Sequence, residues 1–269
     1  MIYCGETIQP AFSPANRGLN YGDGLFETLR VHVGELPLWP RHLARLREGA
    51  GRLGITLPDA DFLEARIDGM IAGEEAGVLK LLVTRGDGGR GYAAAAAMEP
   101  VWQLSLHPLP PAQTSLRLGW CETRLAIQPR LAGIKHCNRL EQVLARAEID
   151  RVGCDEGLMR DGEGRVVGAT AANLLAFRQG RWLTPPVERC GVAGVLRGVL
   201  LEAGLVDVAE MTVADVETAE ALALCNAVRG ILQVGQLGER RFRSHPDLYG
   251  LQMALSMRYP MFSTPGESA

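Results

Sequence analysis

Lys135 is the residue of this chain whose type and setting point most directly to chemistry. The 269-residue sequence carries 28 basic residues, and of these only Lys80 and Lys135 are lysines. Arginine stays protonated and cannot serve as a neutral amine nucleophile. A lysine whose pKa is lowered by burial can form a Schiff base or move a proton. Lys135 lies in Ala132–Arg146, A-G-I-K-H-C-N-R-L-E-Q-V-L-A-R. Rarity alone leaves a structural lysine as an equal alternative. Asn138 followed by Glu141 has the spacing of a capping box. Leu140, Val143, Leu144 and Ala147 share one face at helical spacing. This arrangement puts Lys135 just ahead of a helix and off its apolar stripe, with the amine directed into a cleft. Of its neighbours, His136 is expected to pack or cap, Cys137 to be core, and Arg139 to orient the helix start. Lys80 falls mid-strand and is read as structural.

The composition narrows what such an amine can serve. Hydrophobic content of 47% and charged content of 22% suit a globular enzyme large enough for two modest domains. The net charge of −3 argues against a nucleic-acid partner, which needs a basic face. No uninterrupted apolar stretch is long enough to span a membrane. Cys4, Cys121, Cys137, Cys154, Cys190 and Cys225 form no C-x-x-C pair, and the histidines form no H-x-x-x-H, so no metal site is expected. Residues Met1 to Pro10 lack the basic start and apolar run of a secretion signal. Reduced thiols and a cytoplasmic location are therefore expected.

The elements that must position Lys135 alternate strand and helix. Gly18, Gly22 and Gly24 mark a tight turn or close backbone approach. A strand is expected over Thr28–Val33, turning at Gly34-Glu35 into a hairpin with Leu36–Leu38. Pro40 opens a helix whose apolar stripe is Leu43, Leu46, Ala50 and Leu53, with Arg41, Arg45 and Arg52 off it and Gly54 as the stop. A second helix is expected over Asp59–Ala72 and a buried strand over Val78–Thr84. The Gly-rich loop Arg85–Tyr92 can position ligand groups, and Ala93–Ala97 continues as loop. A strand at Val101–His107 ends the first domain (1–107). A proline-rich linker (108–114) leads to the larger second domain (115–269). There, hairpins turn at Asp161–Gly164 and Gln179-Gly180. Gly191–Arg197 opens a helix whose first N–H groups suit a phosphate. A terminal helix covers Pro246–Ser256, and the tail from Ser263 frays. The fold class is α/β (α+β).

With these pieces placed, the chain resembles the fold-type IV pyridoxal-phosphate enzymes, the class-IV aminotransferases, over nearly its whole length. The resemblance runs from Arg17-Gly18 and Gly22-Asp23-Gly24 through Asn226. The segment I-K-H-C-N-R-L-E-Q-V-L-A-R and the loop R-G-D-G-G-R-G-Y are most similar to a lyase branch of that family. The resemblance implies a two-domain fold like that of D-amino-acid aminotransferase, pyridoxal 5′-phosphate as cofactor, and a small-molecule substrate. It also implies a homodimer. The implied reaction converts 4-amino-4-deoxychorismate to p-aminobenzoate and pyruvate in folate biosynthesis. A D-amino-acid or branched-chain aminotransferase and a non-catalytic cofactor-binding protein are the alternatives.

Residue by residue, Lys135 matches the Schiff-base lysine and Arg45 the arginine on the cofactor phosphate. Val195 and Leu196 match backbone phosphate donors, with Asn226 and Ala227 lining the other side. Arg90 and Tyr92 match a loop that reaches a substrate carboxylate, in some relatives that of the neighbouring subunit. Tyr21, Phe26 and Glu27 lie near the same pocket by analogy. Asn173 closes the E-x-x-x-x-N pattern of relatives, whose glutamate pairs with the pyridine nitrogen. Here that pattern reads G-A-T-A-A-N, with Gly168 in the glutamate position. Loss of that carboxylate weakens the ring as an electron sink, which disfavours transamination more than an elimination driven by aromatisation. Glu163 is a candidate substitute.

Overall fold

The described residues of the computed structural model, 1–95 and 98–263, form two units. The first is Met1–Leu109 together with Ile134–Arg139, and the second is Pro110–Gly133 together with the chain from Leu140 onward. Ala96 and Ala97 of the alanine run, and the tail 264–269, lie outside the described residues.

The first unit is an antiparallel sheet of five strands: β1 (Ile2–Cys4), β2 (Thr7–Gln9), β3 (Gly24–His32), β4 (Ala76–Thr84) and β5 (Val101–His107). Their order is β2-β1-β5-β4-β3. Helix α1 (Arg17–Tyr21) precedes β3, and α2 (Trp39–Leu53) and α3 (Ala60–Ile71) lie between β3 and β4 in the chain. Strand β3 alternates as a half-buried strand must. Leu25, Glu27, Leu29 and Val31 are buried, whereas Phe26, Thr28, Arg30 and His32 are partly exposed. Leu79, Leu81, Val83 and Leu104 join Leu25, Leu29 and Val31 in the core, with Leu46, Ile67 and Ile71 from the helices. Tyr3 stacks on the buried Trp102 at 4.2 Å between ring centroids.

Two expectations fail here. The chain does turn back at Val33-Gly34 (φ 50° and 70°), where His32 and Glu35 exchange backbone hydrogen bonds of 2.9 and 3.1 Å, but no strand follows at Leu36–Leu38 and the chain enters α2 at Trp39. The inward stripe of α2 is His42, Leu46, Gly49 and Ala50, rotated from the expected one so that Leu43 is only half-buried.

The second unit is a mixed sheet. Its strands are β6 (Leu116–Leu125), β7 (Glu156–Asp161), β8 (Val166–Ala169), β9 (Asn173–Arg178), β10 (Arg181–Thr184), β11 (Asp207–Val208), β12 (Ala221–Asn226), β13 (Gly230–Leu237) and β14 (Arg240–Arg241). The order is β11-β10-β9-β12-β13-β6-β7-β8, with β14 on β13. Helices α4 (Leu140–Val152), α5 (Val195–Glu202), α6 (Val213–Glu217) and α7 (Pro246–Arg258) complete it. One face of the sheet packs Leu118, Leu158, Leu174, Leu222 and Leu224 into a core. On the other, Cys121, Met159 and Val167 pack with Ala145 and Ile149 of α4.

Helix α4 departs from the sequence reading. Leu140, Val143 and Leu144, the expected apolar stripe, are 70%, 60% and 52% exposed. The inward contacts are made by Ala145 and Ile149 instead. The capping-box pair is also used differently. Asn138 donates to the Gly22 carbonyl at 3.0 Å, and Glu141 accepts from the Ala126 N–H at 2.8 Å.

Candidate active site

Lys135 is held by backbone pairing to the edge of the first unit's sheet. Its carbonyl accepts from the Phe26 N–H at 3.0 Å, and the Cys137 N–H donates to the Gly24 carbonyl at 2.9 Å. His136 bridges to Leu25, which sets the register. That register aligns Lys135 with the Phe26 face of β3 and Ile134 with its helix-facing side. Two glycines of the block, Gly22 and Gly24, leave room for this segment, whereas Gly18 lies against Thr84. A Cβ at Gly24 would lie 2.7 Å from the Val83 carbonyl oxygen and 3.2 Å from Cys137 Sγ. Gly22 adopts φ +65°, and a Cβ there would meet Asn138 Oδ1 at 2.5 Å. Arg139 locks the segment from the other side, donating to the carbonyls of His136 (2.9 Å) and Ile134 (3.1 Å).

The Lys135 amine lies 4.3 Å from the centroid of the Phe26 ring. Burial, then the nearby Arg45 guanidinium, pull its pKa down from 10.5 to about 7, against the opposing pull of Glu27. Near neutral pH the amine is therefore divided between ammonium and free amine, the condition a nucleophilic lysine needs. Lys80 Nζ is 5.7 Å from the same ring, and its charge also bears on Lys135. The two lysines of the chain thus share one aromatic platform. Strand pairing makes this possible, since Lys80 pairs with Thr28 and Leu82 with Phe26. Reading Lys80 as a structural mid-strand lysine overlooked this face.

Behind β3 lies a buried charge cluster. Glu27 is 1% exposed, at an inward position otherwise taken by Leu25, Leu29 and Val31. Its Oε1 accepts from Arg45 Nε at 2.9 Å, and its Oε2 accepts from a terminal Arg45 nitrogen at 2.5 Å. His42 Nδ1 lies 2.6 Å from Oε2. Burial works to raise the Glu27 carboxyl, but Arg45 and then His42 hold it down to about 2. Burial pushes His42 down. Its Nε2 is buried with no partner, which suits a neutral ring carrying its proton on Nδ1 and donating it to Glu27. His42 and Glu27 were not singled out as a pair from the sequence. The signal was a carboxylate in register with the leucines and valine of an alternating strand.

Burial, helped by Arg139, pushes the His136 pKa down to about 4. Burial raises the Cys137 thiol to about 11, which leaves it unreactive.

Tyr21 and Tyr92 meet each other rather than Lys135. Their rings lie 5.6 Å apart, and the Tyr21 hydroxyl accepts from the Gly91 N–H at 3.0 Å. The buried Arg17 donates to the carbonyls of Gly91, Tyr92 and Ala93 while pairing with Asp23. Arg17 therefore sets the shape of the Gly-rich loop, and it was missed as a determinant of that loop. The Tyr92 side chain is 88% exposed, and Arg90 is exposed as well.

In the second unit the candidate phosphate donors start α5. Val195 and Leu196 are its first residues, and its N-cap, Gly194, supplies no side-chain cap. Asn173 donates to the Val192 carbonyl at 3.0 Å, and a Cβ at Gly194 would lie 2.0 Å from Asn173 Oδ1. Asn173 thus shapes the approach to the helix start. The Asn226 side chain accepts from the N–H groups of Val228 (3.0 Å) and Arg229 (2.8 Å), building a turn beside the buried Ala227. Gly168 lies on β8, where a Cβ would approach the Ala172 carbonyl oxygen to 3.2 Å. Glu163, the candidate substitute, pairs with Arg165 and Arg189 at the β7–β8 turn and is largely exposed.

The amine makes one prediction directly. Trapping of an aldehyde by borohydride reduction is expected to rise with pH through about 7, following deprotonation of Lys135. Mass mapping of the labelled peptide checks it, and a midpoint near the ordinary lysine value would refute the reading of a depressed amine.

Comparison with known proteins places this geometry. Residues 24–237 match the family described as amino-transferase class IV. An aminodeoxychorismate lyase of Vibrio harveyi is 36% identical over 230 residues, covering 81% of this chain and 84% of that protein. A D-alanine aminotransferase of Bacillus licheniformis is 28% identical over 205 residues, covering 73% and 71%. The crystal structure of 4-amino-4-deoxychorismate lyase from Pseudomonas aeruginosa is 43% identical, with a TM-score of 0.88 over 96% of this chain and 98% of that one. Lys135, its pairing with β3 and Gly24 fall within the matched residues, and the chain belongs to the amino-transferase class IV family.

Proposed function

We propose that this protein is a pyridoxal-phosphate-dependent lyase that converts 4-amino-4-deoxychorismate to p-aminobenzoate and pyruvate. The observation that carries the reading is the Lys135 amine, brought to about 7 over the Phe26 ring. Each unit carries donors of the chemistry the cofactor needs: the first a buried amine able to lose its proton and a guanidinium fixed by a carboxylate, the second an uncapped helix start with a cradle at Gly194 that a Cβ would fill. Bound pyridoxal phosphate supplies an aldehyde for covalent capture and a ring that accepts an electron pair.

Arg45, the Val195 and Leu196 N–H groups, and the Asn226–Ala227 turn are the groups proposed to hold the phosphate, with Asn173 shaping the loop before them. Phe26 and Tyr21 are proposed to line the substrate side, and Arg90 and Tyr92 to receive a substrate carboxylate. Lys135 Nζ takes the proton from substrate C4 and returns one to the departing pyruvate. The lyase relatives are the more similar ones, at 36% and 43% identity against 28% for the D-alanine aminotransferase. Gly168 points the same way, since a family member without the ring-nitrogen glutamate is less suited to transamination.

The test is pyruvate release from enzymatically made 4-amino-4-deoxychorismate. Transfer of amino groups between keto acids without pyruvate would establish an aminotransferase instead. A coloured protein with neither activity would leave a binding protein.

The assembly proposed is a cytoplasmic homodimer. Its support is the exposed stripe of Leu140, Val143 and Leu144 on α4, an apolar face turned away from its own core. Changing Val143 and Leu144 together to aspartate is expected to yield monomer by light scattering at concentrations where the wild type is dimeric. An unchanged mass would move the interface elsewhere.

A further inference from the structure

Glu27 is costly where it stands. A carboxylate buried at a leucine position is tolerated only when paired and hydrogen-bonded. Arg45 supplies the pairing in a specific manner. It uses Nε and one terminal nitrogen, the side-on edge of its guanidinium. The end-on edge is then the one through which Arg45 meets any other acceptor. The planar fork has little freedom left, because both of its side-on nitrogens are committed to one rigid carboxylate. That carboxylate is itself clamped by His42 Nδ1 at 2.6 Å, on a residue 1% exposed. Three residues on two elements therefore converge on one orientation: Glu27 on β3, His42 in the first turn of α2, and Arg45 in its next turn. His42 and Arg45, three apart on α2, present neighbouring side chains to the same carboxylate.

We infer that Glu27 is a positioning residue of this site: held from behind by His42, it fixes the Arg45 guanidinium so that its end-on edge receives a phosphate dianion. The inference rests on the reading of Arg45 as a phosphate ligand. Glu27 does not touch the phosphate; it acts through Arg45. A role confined to satisfying a buried arginine would affect folding without altering the preference for a phosphate group.

The experiment is an equilibrium titration of the full chain, freed of cofactor, with 4-deoxypyridoxine 5′-phosphate and with 4-deoxypyridoxine. Neither has an aldehyde, so neither reacts with Lys135, and the ratio of the Kd for the dephosphorylated ligand to the Kd for the phosphorylated one reports the phosphate alone. Glu27→Gln is expected to lower that ratio about tenfold, the worth of one well-placed charge-assisted hydrogen bond, with little change in affinity for the dephosphorylated ligand. Glu27→Asp should recover part of it. In an Arg45→Gln background, Glu27→Gln should have no further effect on the ratio. Both affinities falling together, or a ratio unchanged in Glu27→Gln, would overturn the inference. If thermal melting shows that Glu27→Gln does not fold, His42→Asn carries the same test. It should lower the ratio by loosening the clamp, and an unchanged ratio there overturns the inference too. Wild-type protein with no preference for the phosphorylated ligand would overturn the reading of Arg45, and this inference with it.

Discussion

Replacing Lys135 by alanine is expected to reduce pyruvate release by at least about 10³-fold, the loss attending removal of a positioned general base that is also the covalent anchor. Lys135→Arg should be no better. It keeps the positive charge but cannot give up a proton at any working pH. The protein should also lose its borohydride-stable cofactor label, and an unchanged label in Lys135→Ala would refute the assignment. A stability change accompanies the loss of activity. The folded-state pKa of about 7 lies below the ordinary 10.5, so between these values the unfolded chain binds more protons than the folded one. The stability of cofactor-free wild type should therefore rise with pH across that window and fall back as pH drops through about 7. Lys135→Met should lack this slope and be the more stable protein on the acid side. Denaturant titrations at several pH values measure both, and parallel pH profiles would contradict the depressed amine.

The second large effect is expected at Arg45. Arg45→Gln removes the proposed phosphate ligand and strands Glu27 without its cation. Breaking one partner out of a buried pair typically costs about 3–5 kcal/mol. The loss of a charge-assisted bond to phosphate should weaken cofactor binding by about 10- to 100-fold. The pH dependence separates the two effects. In the wild type the Glu27 carboxyl is held at about 2, below its ordinary 4.5, so its contribution is complete above about 4.5 and is lost as pH falls towards about 2. In Arg45→Gln, burial acts without its main opponent, so the carboxyl should rise above its ordinary value. The folded variant then binds the extra proton, and its deficit should shrink as the pH is lowered from 8 towards about 5. Guanidinium titrations at those two pH values provide the check. A deficit independent of pH would mean that the lost packing of the arginine stem, not its charge, sets the cost.

Local pattern carried much of the fold. Alternation in β3, the mostly buried run of β4, Pro40 and Gly54 around α2, and the turns at Asp161–Gly164 and Gln179-Gly180 are short-range effects, and the structure has them. The direction in which an apolar stripe faces is a different matter. The α4 stripe of Leu140, Val143 and Leu144 has helical spacing, yet it points away from the core, while Ala145 and Ile149 make the inward contacts. Spacing reports which residues share a face, and it does not report what covers that face. The capping pair failed for a related reason. Asn138 and Glu141 found distant partners in Gly22 and Ala126, and tertiary hydrogen bonds outweighed a local motif.

The sequence by itself determined that Lys135 was a singular amine at the head of a helix, and that three glycines marked a close approach. It did not say that two of them make room for the lysine segment. That link joins residues more than a hundred positions apart, through contacts of Gly22 with Asn138 and Gly24 with Cys137. Nor could it place Lys80 over the same ring as Lys135, which depends on the register of β4 against β3. The Glu27–His42–Arg45 cluster is the clearest case. Its members are separated by a turn and a helix start, and each has an ordinary reading alone. Only the packing of α2 on β3 brings them to one carboxylate, because the cost of burying a charge is met by partners that the tertiary structure must deliver.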